Sequence, residues 1–290
     1  MVHRPERDLR DMLTPGAAVL LPGAANALTA RVIEDAGFSA LYVTGAGIAN
    51  TYLGMPDIGL TTATEIADHV WRIRDAVSIP LIVDADTGYG NALNVQRTVR
   101  LLERAGAGAI QLEDQVFPKR CGHFEGKDVI PASEMVKKIQ AAVDARQHDS
   151  TLILARTDAH AIEGLSGALD RGALYREAGA DLLFVEAPHT TEELSAIPSR
   201  VPGRHICNLV FGGKTPLLPR DQLAEMGYAG VLYANAALQA AVKAMARVLG
   251  HLHRSGSLAG MEDALVSFEE RQRVINQPRF KALEERFTSR

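Results

Sequence analysis

The sequence contains little cysteine and no long apolar run. Its 290 residues include only two cysteines, Cys121 and Cys207, which cannot build a disulfide framework and lack the spacing of a zinc site. No stretch approaches the length needed to cross a membrane, and the first ten residues carry charges where a secretion signal would be apolar. These absences argue against a disulfide-rich secreted domain and a membrane protein, and we expect a cytoplasmic location.

Aromatic residues and an excess of positive charge are also missing. Phe, Trp and Tyr make up 5% of the chain, and the formal net charge is −4. Positive residues are dispersed apart from one short loop, so the sequence offers no basic surface for nucleic acid. The low aromatic content, with 25 glycines and many alanines, suits helices packed on a parallel sheet. We therefore expect a globular protein that does not bind nucleic acid.

Short apolar runs alternate with segments of helical periodicity along most of the chain. Eight such units of roughly 35 residues account for residues 1–255, the size of a closed parallel barrel. Four junctions place a glycine directly between a helix and the next strand: Gly37, Gly106, Gly179 and Gly227. Glycine accepts the left-handed conformation that ends a helix and returns the chain to the sheet. The repeat predicts an α/β fold, a (β/α)8 TIM-type barrel.

A doubly wound open sheet is the alternative architecture. It is disfavoured because no Gly-x-Gly-x-x-Gly motif follows the first predicted strand. Residues 256–290 lie beyond the eighth strand and form a predicted C-terminal helical extension whose apolar faces need cover. This extension either contributes to an oligomer interface or packs under its own barrel.

Polar residues recur where the predicted strands end. The ends of parallel barrel strands meet at one face, so these side chains are expected to share a site. In chain order they are Thr44, Gly45, Asp84, Asp86, Glu113, Arg156, Glu186 and Asn208. Crowded carboxylates repel each other unless a cation joins them, and an all-oxygen set suits Mg²⁺ or Mn²⁺ better than zinc. Asp84, Asp86 and Glu113 are therefore predicted metal ligands.

The segment Lys119–His123 follows the fourth predicted strand and places a thiol among cations and an imidazole. Neighbouring positive charges favour the thiolate, so Cys121 suits proton transfer near neutral pH. An exposed basic loop with an incidental cysteine is the alternative interpretation of this motif alone. Cys207 lies within an apolar run and is predicted to be an inert core residue.

Taken together, the motifs Asp84–Asn91, Glu113–Gln115 and Lys119–His123 resemble the isocitrate lyase and phosphoenolpyruvate mutase superfamily. The resemblance runs from about residue 17 to residue 245, and the last motif is specific to lyase-type members. It implies a barrel whose eighth helix is swapped between subunits, a homotetramer built as a dimer of dimers, and dependence on Mg²⁺.

The resemblance also implies roles for individual residues. Asp57 would join Asp84, Asp86 and Glu113 around the ion. The implied catalytic residues are Tyr42, Lys119, Cys121, His123 and Arg156. The implied substrate-binding residues are Thr44, Gly45, Ala46, Gly122, Glu186, Asn208, Gly213 and Thr215.

Within that superfamily the sequence is most similar to 2,3-dimethylmalate lyases and to carboxyvinyl-carboxyphosphonate phosphorylmutase-like proteins. Methylisocitrate lyases are expected to carry an arginine after the eighth strand, and segment 233–243 has none. We therefore expect a lyase that cleaves an alkyl-substituted 2-hydroxy dicarboxylate to pyruvate and a carboxylate, with Cys121 as general acid. The alternatives are phosphoryl transfer of the phosphorylmutase type, methylisocitrate cleavage, oxaloacetate hydrolysis or decarboxylation, and a non-catalytic barrel that binds 2-oxo acids.

Overall fold

Eight parallel strands close into a barrel in the computed structural model, which describes residues 5–120, 122 and 126–288. Neighbouring strands follow one another in chain order, and the first strand pairs with the eighth. The strands are β1 (Val19–Ala24), β2 (Leu41–Val43), β3 (Leu81–Asp84), β4 (Ala109–Glu113), β5 (Leu152–Thr157), β6 (Leu182–Val185), β7 (His205–Asn208) and β8 (Tyr228–Tyr233). The closed barrel confirms the predicted fold and rules out the open sheet.

Helices connect and surround the strands. They are α1 (Pro5–Met12), α2 (Ala27–Asp35), α3 (Gly45–Ile48), α4 (Ala63–Ala76), α5 (Ala92–Ala105), α6 (Ala132–Ala145), α7 (His160–Glu177), α8 (Thr191–Arg200), α9 (Arg220–Glu225), α10 (Ala236–Ser255), α11 (Phe268–Val274) and α12 (Gln277–Phe287). Several of them begin at a capping residue that the sequence shows, namely Asn26, Thr62 and Asn91. Helix α4, for example, begins at a capping box in which Thr62 and Glu65 satisfy each other's backbone N–H groups.

The four predicted glycine junctions have the left-handed backbone that the sequence required. Their φ angles are 86° at Gly37, 102° at Gly106, 107° at Gly179 and 97° at Gly227. A side chain at these positions would strain the backbone, because residues with a Cβ rarely adopt these φ angles. Each glycine therefore ends a helix at the point where the chain turns back into the barrel.

The apolar core has two layers, because successive side chains on a strand point to opposite faces. On β2, Tyr42 packs among the residues of the barrel interior, whereas Leu41 and Val43 belong to the layer between barrel and helices. Leu9 of α1 and the following Leu13 are fully buried against the interior layer. Helix α1 therefore closes the end of the barrel at which the strands begin.

A polar cluster on the same end fixes that closure. Asp181 Oδ1 lies 2.9 Å from Arg10 Nη2, and Asp181 Oδ2 lies 2.9 Å from Arg146 Nη1. Asp181 Oδ2 also accepts a hydrogen bond from the Ile153 backbone N–H at 3.0 Å, and Arg146 donates to the Thr151 carbonyl at 3.1 Å. Helix α1 and the loops before β5 and β6 are thereby joined at one carboxylate.

The segment after β8 differs from the rest of the helical layer. Helix α10 is twenty residues long, and none of its residues, all of which the structure describes, is buried. The extension beyond it contains a 3₁₀ turn (Glu262–Ala264), α11 and α12, and Pro278 lies in the first turn of α12. No helix in the described part of the chain is long and apolar enough to span a membrane.

Candidate active site

A small cavity lies at the ends of β2 to β8, where the predicted polar residues were expected to meet. Its free volume is about 40 Å³. The predicted site residues that line it are Tyr42, Thr44, Ala46, Asp57, Asp84, Lys119, Gly122, Arg156, Glu186 and Asn208. Four further residues line it: Arg120, which belongs to the predicted Lys119–His123 motif, and Leu232, Ala234 and Asn235, to which the sequence assigned no function. The barrel therefore brings together residues that are up to 193 positions apart, as between Tyr42 and Asn235.

The turn after β2 forms one wall of the site. Thr44 starts helix α3 as its N-cap, and its hydroxyl oxygen accepts a hydrogen bond from the Gly47 N–H at 3.1 Å. The adjacent Gly45 N–H donates to Asp84 Oδ2 at 3.3 Å. A Cβ on Gly45 would lie 3.1 Å from the same oxygen, so glycine permits this close approach. The turn and β3 are thus held at contact distance.

Two carboxylates follow at the end of β3, and one of them, Asp86, shares a cation from the loop after β4 with Asp57. Asp84 Oδ1 accepts hydrogen bonds from the Asp86 N–H at 3.2 Å and from Gln111 Nε2 at 3.1 Å. Lys119 Nζ lies 2.8 Å from Asp86 Oδ1 and 2.5 Å from Asp57 Oδ1. Burial opposes the charge on Lys119, but the Asp86 and Glu113 carboxylates outweigh it and raise the pKa of Lys119 well above its usual value. Lys119 is therefore positively charged in the site.

The carboxylates of this cluster hold more negative charge than their cations balance. Burial raises the pKa of Asp86 to about 6, although the Lys119 ammonium opposes the increase. Burial also raises the pKa of Glu113 well above its usual value, against the effect of Arg156. Glu113 Oε1 is buried and has no hydrogen-bond partner among the residues that the structure describes. Such a set of oxygens, with one left unpaired, fits a hard divalent cation.

Arg156 at the end of β5 is surrounded by acids. Its Nε and Nη2 atoms bind Asp158 at 2.9 and 3.1 Å. Its Nε lies 3.4 Å from Glu113 Oε2, and its Nη2 lies 3.5 Å from Glu186 Oε2. The guanidinium packs over the Phe184 ring, with Arg156 Cζ 5.2 Å from the ring centroid. Arg156 is therefore a buried cation with a fixed orientation in the cavity wall.

The phenol of Tyr42 lies in the same cavity and is 3% exposed. Burial, together with the Asp84 carboxylate, raises the pKa of Tyr42 well above its usual value. The hydroxyl therefore remains protonated at neutral pH and can donate a hydrogen bond to an anionic ligand.

The loop after β4 reaches over the cavity and is tied at its start. The Gln115 side chain donates to the Arg120 carbonyl at 2.8 Å and accepts from the Arg120 N–H at 2.9 Å. These bonds fix the backbone just before Cys121. Cys121 and His123, two of the predicted catalytic residues, lie outside the described residues.

Asp114 follows Glu113 directly but has a different function. Its Oδ2 accepts hydrogen bonds from Thr157 and Tyr175 at 2.7 Å and from Arg171 at 3.3 Å. Asp114 is fully buried and belongs to the support behind the site, because neighbouring strand residues point to opposite sides.

Three predicted substrate-binding residues, Gly45, Gly213 and Thr215, are not part of the cavity lining, and neither are the predicted metal ligands Asp86 and Glu113. Gly213 is exposed in the loop after β7, and Thr215 is buried in the same loop, with no partner for its hydroxyl in the described part of the chain. Neither residue lines the cavity. Asn208, at the end of β7, does line it, and none of the described residues forms a hydrogen bond with its buried Oδ1.

A second group of metal-ligating side chains lies outside the cavity lining. In the described part of the chain, His160, His189 and Glu193 offer ligand atoms within 4.8 Å of one another. His160 Nε2 is 3.2 Å from Glu193 Oε2, which also accepts the His189 backbone N–H at 2.5 Å. These bonds join the start of α7 to the first turn of α8. We therefore interpret the group as a contact between two helices rather than as a metal site.

Comparison with known proteins identifies the family of the chain. Residues 9–253 match the family model described as phosphoenolpyruvate phosphomutase. A 2,3-dimethylmalate lyase from Eubacterium barkeri is 43% identical over 281 residues, covering 97% of each chain. A 2-methylisocitrate lyase from Aeropyrum pernix is 45% identical over 269 residues, covering 93% of this chain and 86% of that protein.

A solved structure extends the likeness to the fold. Phosphonopyruvate hydrolase in complex with oxalate and Mg²⁺ matches with a TM-score of 0.89 and 32% identity, covering 99% of this chain and all of that one. The match to the family model extends over most of the barrel, and both comparisons cover nearly the whole sequence. The chain is therefore an enzyme that belongs to the phosphoenolpyruvate phosphomutase family, within the isocitrate lyase and phosphoenolpyruvate mutase superfamily.

Proposed function

We propose that this enzyme is a Mg²⁺-dependent carbon–carbon lyase that cleaves an alkyl-substituted malate to pyruvate and a carboxylate. The observation that carries the proposal is the cavity itself. It places a buried, fixed Arg156 beside a carboxylate cluster, while its β8 wall consists of Leu232, Ala234 and Asn235. The similarity to 2,3-dimethylmalate lyase supports the same activity.

The carboxylates favour a divalent cation as cofactor. Asp84, Asp86 and Glu113, with Asp57 beside them, are the residues that would hold Mg²⁺ directly or through water, and Mn²⁺ is chemically similar. When bound, the ion supplies positive charge that stabilises negative charge developing on the substrate oxygens. A relative whose structure contains Mg²⁺ and oxalate supports this choice of ion.

The residues of the chain would then act on a 2-hydroxy dicarboxylate in a retro-aldol cleavage. Transfer of the hydroxyl proton to a water molecule in the site lets the C2–C3 bond break, which gives a 2-oxo acid and leaves the electron pair of that bond on C3. Arg156 and the protonated Tyr42 would bind the oxygens of the 2-oxo acid, since fixed donors stabilise charge that develops there. Glu186 and Asn208 would orient the departing carboxylate.

Cys121 would return a proton to C3 as general acid, which completes the carboxylate product. Exchange of Cys121 for serine removes the acidic thiol and keeps a group of similar size. We expect Cys121→Ser to lose most lyase turnover while keeping its affinity for oxalate with Mg²⁺, measured by calorimetry. Unchanged turnover would refute the acid function of Cys121.

The uncharged β8 wall bears on the choice of substrate. A third carboxylate, as in methylisocitrate, would need a cationic partner, because an unpaired buried charge is costly. Leu232 and Ala234 are buried and Asn235 has no charge, so this wall suits an alkyl group. We therefore expect higher kcat/KM with 2,3-dimethylmalate than with 2-methylisocitrate.

The test is a pyruvate-release assay coupled to NADH oxidation by lactate dehydrogenase. The substrates are 2,3-dimethylmalate, 2-methylisocitrate, citramalate and oxaloacetate, each with Mg²⁺ and with a chelator, and oxalate formation from oxaloacetate is assayed separately. Mg²⁺-dependent pyruvate from an alkyl malate supports the proposal. Turnover of 2-methylisocitrate alone, oxalate from oxaloacetate alone, or no cleavage of any substrate would overturn it, and the last result would direct the search to phosphoryl transfer.

We also propose that the enzyme is a homo-oligomer that uses α10 as an interface, as expected for a swapped eighth helix. Val242, Met245, Leu249 and Leu252 form one apolar stripe and are 38–59% exposed. Such a stripe on a helix is stable when a second surface covers it. A second copy of the chain accounts for it without another partner.

Light scattering coupled to size exclusion tests the interface. We expect the wild type to elute as a tetramer and Leu249→Glu to dissociate, because a buried charge opposes association. Arg247→Glu is the matched control, since Arg247 lies on the opposite face of α10 in an exposed pair with Asp263. A monomeric wild type, or an effect of Arg247→Glu equal to that of Leu249→Glu, would contradict the proposal.

A further inference from the structure

Lys127 makes a buried bridge, and the sequence assigned no function to this residue. It lies in the loop between β4 and α6, and its side chain is only 4% exposed. Its Nζ atom donates to the Gly122 carbonyl at 2.5 Å and to Asp158 Oδ1 at 2.8 Å. The ammonium thus joins a backbone group of the loop to a carboxylate at the end of β5.

Asp158 connects this bridge to the site arginine. Its two oxygens bind Arg156 Nε and Nη2, and Oδ1 is shared between Arg156 Nη2 and Lys127 Nζ. Burial alone would raise the pKa of Asp158, but Arg156 and Lys127 lower it to about 2. Asp158 is therefore ionised throughout the physiological range, and its charge is held by two cations that come from different elements.

The same loop is closed at its base by backbone pairing. Gln115 and Val129 form an antiparallel bridge. The Val116 N–H donates to the Asp128 carbonyl at 2.9 Å, and the Ile130 N–H donates to the Asp114 carbonyl at 2.8 Å. Lys127 lies just inside this base and reaches back to Gly122 near the middle of the loop. The base fixes where the loop leaves the barrel, and Lys127 fixes how near its middle comes to β5.

The space around Gly122 does not admit a side chain. A Cβ built on Gly122 would lie 2.5 Å from Arg156 Nη2 and 2.6 Å from the Glu186 side-chain carboxyl carbon. The Gly122 backbone is therefore already as close to Arg156 as packing allows. Any outward movement of this carbonyl opens the cavity next to the guanidinium and changes the space available to a bound carboxylate.

We propose that Lys127 is a positioning residue which, through Asp158 and the Gly122 carbonyl, sets the distance between the loop and Arg156. Lys127 does not line the cavity and so acts on a ligand only through these two partners. The prediction for turnover rests on the lyase activity proposed above, whereas the prediction for ligand binding does not.

A purely structural function for Lys127 predicts a different result from a positioning function. If Lys127 only balanced the charge of Asp158, its loss would lower stability and leave the chemistry intact in the folded fraction. If it positions the loop, its loss lowers kcat and ligand affinity at temperatures where the variant is fully folded. Displacement of a catalytic group by ~1 Å can lower the rate by on the order of 100-fold.

Two variants and one control separate these possibilities. Lys127→Met keeps the length of the side chain and removes its charge, and Lys127→Arg keeps the charge. The control is Arg146→Met, which also removes a cation that bridges a carbonyl and a carboxylate, Thr151 and Asp181, but at the opposite end of the barrel. For all proteins we would measure the melting temperature, kcat and KM, and oxalate affinity with Mg²⁺ by calorimetry.

We expect Lys127→Met to lower kcat by roughly 10- to 100-fold and to weaken oxalate binding by about tenfold, with partial rescue in Lys127→Arg. Hydrogen exchange of peptides that span residues 116–128 should accelerate in Lys127→Met and remain at the wild-type rate in Arg146→Met. Arg146→Met should lose stability with kcat and KM unchanged.

Wild-type kcat and oxalate affinity in Lys127→Met would overturn the inference. It would equally be overturned if Arg146→Met, for the same fall in melting temperature, lost as much kcat and oxalate affinity as Lys127→Met. If the wild type cleaves none of the malates, the lyase proposal fails, and oxalate affinity with hydrogen exchange still decides whether Lys127 positions the loop.

Discussion

The two ends of the barrel use ionic groups in opposite ways. Where the strands begin, Asp181 has a partner for each of its oxygens in Arg10, Arg146 and the Ile153 N–H. Where the strands end, six carboxylates of the described residues surround Lys119, Lys127 and Arg156, and Arg120 also lines the cavity. The carboxylates are Asp57, Asp84, Asp86, Glu113, Asp158 and Glu186.

We interpret this difference as one between groups that stabilise the fold and groups that are proposed to serve the reaction. A matched ion pair gains from folding, whereas a buried carboxylate without sufficient counter-charge costs free energy and raises its own pKa. Asp86, whose pKa is raised to about 6, is a carboxylate of this second kind. So is Glu113, whose Oε1 has no hydrogen-bond partner among the described residues. Strongly perturbed acids in a cavity are typical of functional sites. The following predictions test the comparison.

The largest effect is expected for Asp86→Asn. Turnover should fall by roughly 10³-fold, since charge stabilisation at the reacting centre is removed. The melting temperature at pH 8 without divalent ions should be unchanged or higher. The pKa of Asp86 is raised to about 6 in the folded state, so its stabilising contribution is present at low pH and is lost as the pH rises through about 6.

Steady-state assays and thermal unfolding of Asp86→Asn check both parts of this prediction. Asp75→Asn, which changes an exposed carboxylate on α4, is the control and should alter neither quantity. Wild-type turnover in Asp86→Asn would remove Asp86 from the reaction. A large loss of stability would show that the end with excess carboxylates supports the fold as the other end does.

A second prediction compares two glycines. Gly122→Ala should lower turnover by roughly 10- to 100-fold, because the new methyl group displaces Arg156 or the loop. Gly37→Ala should instead cost about 1 kcal/mol of stability and leave turnover unchanged. Gly37 has a φ of 86° but open space around it, so only its backbone is strained. Equal effects of both variants on kcat would contradict the comparison.

At the opposite end, Asp181→Asn should affect stability alone. Loss of the charge weakens the contacts to Arg10 and Arg146, and we expect a cost of about 1 to 3 kcal/mol in the free energy of unfolding. Urea denaturation measures this cost, and kcat and KM should remain at wild-type values. A change in kcat larger than about twofold would show that the two ends are coupled.

The smallest effect concerns pH and His205, which lies at the start of β7. Burial lowers the pKa of His205, while its Nε2 atom contacts the Val201 carbonyl at 2.5 Å. Because the folded-state pKa is depressed, the stabilising contribution is present above pH 6.5 and is lost as the pH falls through the folded-state pKa. The slope from this single proton cannot exceed about 1.4 kcal/mol per pH unit.

Urea denaturation between pH 5 and pH 8 measures that slope, and His205→Gln should reduce it while leaving turnover at pH 8 unchanged. An identical slope in the variant would assign the pH dependence to other groups. The same pH series on Asp86→Asn should change the slope in the opposite direction. The pKa of Asp86 is raised, so its loss makes stability rise more steeply with pH.

Much of the fold and part of the site could be predicted from local sequence. Eight apolar runs and the glycines at 37, 106, 179 and 227 correctly gave a closed barrel. The rule that strand ends share one face was sufficient to place Asp84 and Arg156 in one cavity. Such features depend on periodicity and on the backbone preference of single residues, and both are readable in a short window of sequence.

Other features depended on contacts between distant residues. Asp114 and Glu113 are adjacent in sequence, yet only Glu113 contacts Arg156, because the alternation of the strand turns Asp114 towards Tyr175. Gly213 and Thr215 were predicted to bind substrate and lie away from the cavity, since the path of their loop is not set by periodicity.

The sequence by itself determined the strand and helix order, the turns between them and the chemical types of side chain at the strand ends. Tertiary structure decided that Lys127 meets Asp158, 31 positions away, and that helix α10 leaves its apolar stripe exposed. An amphipathic pattern is the same whether a helix covers its own barrel or another surface, and a lysine's partner is chosen by packing. These choices depend on three-dimensional proximity, which no local pattern contains.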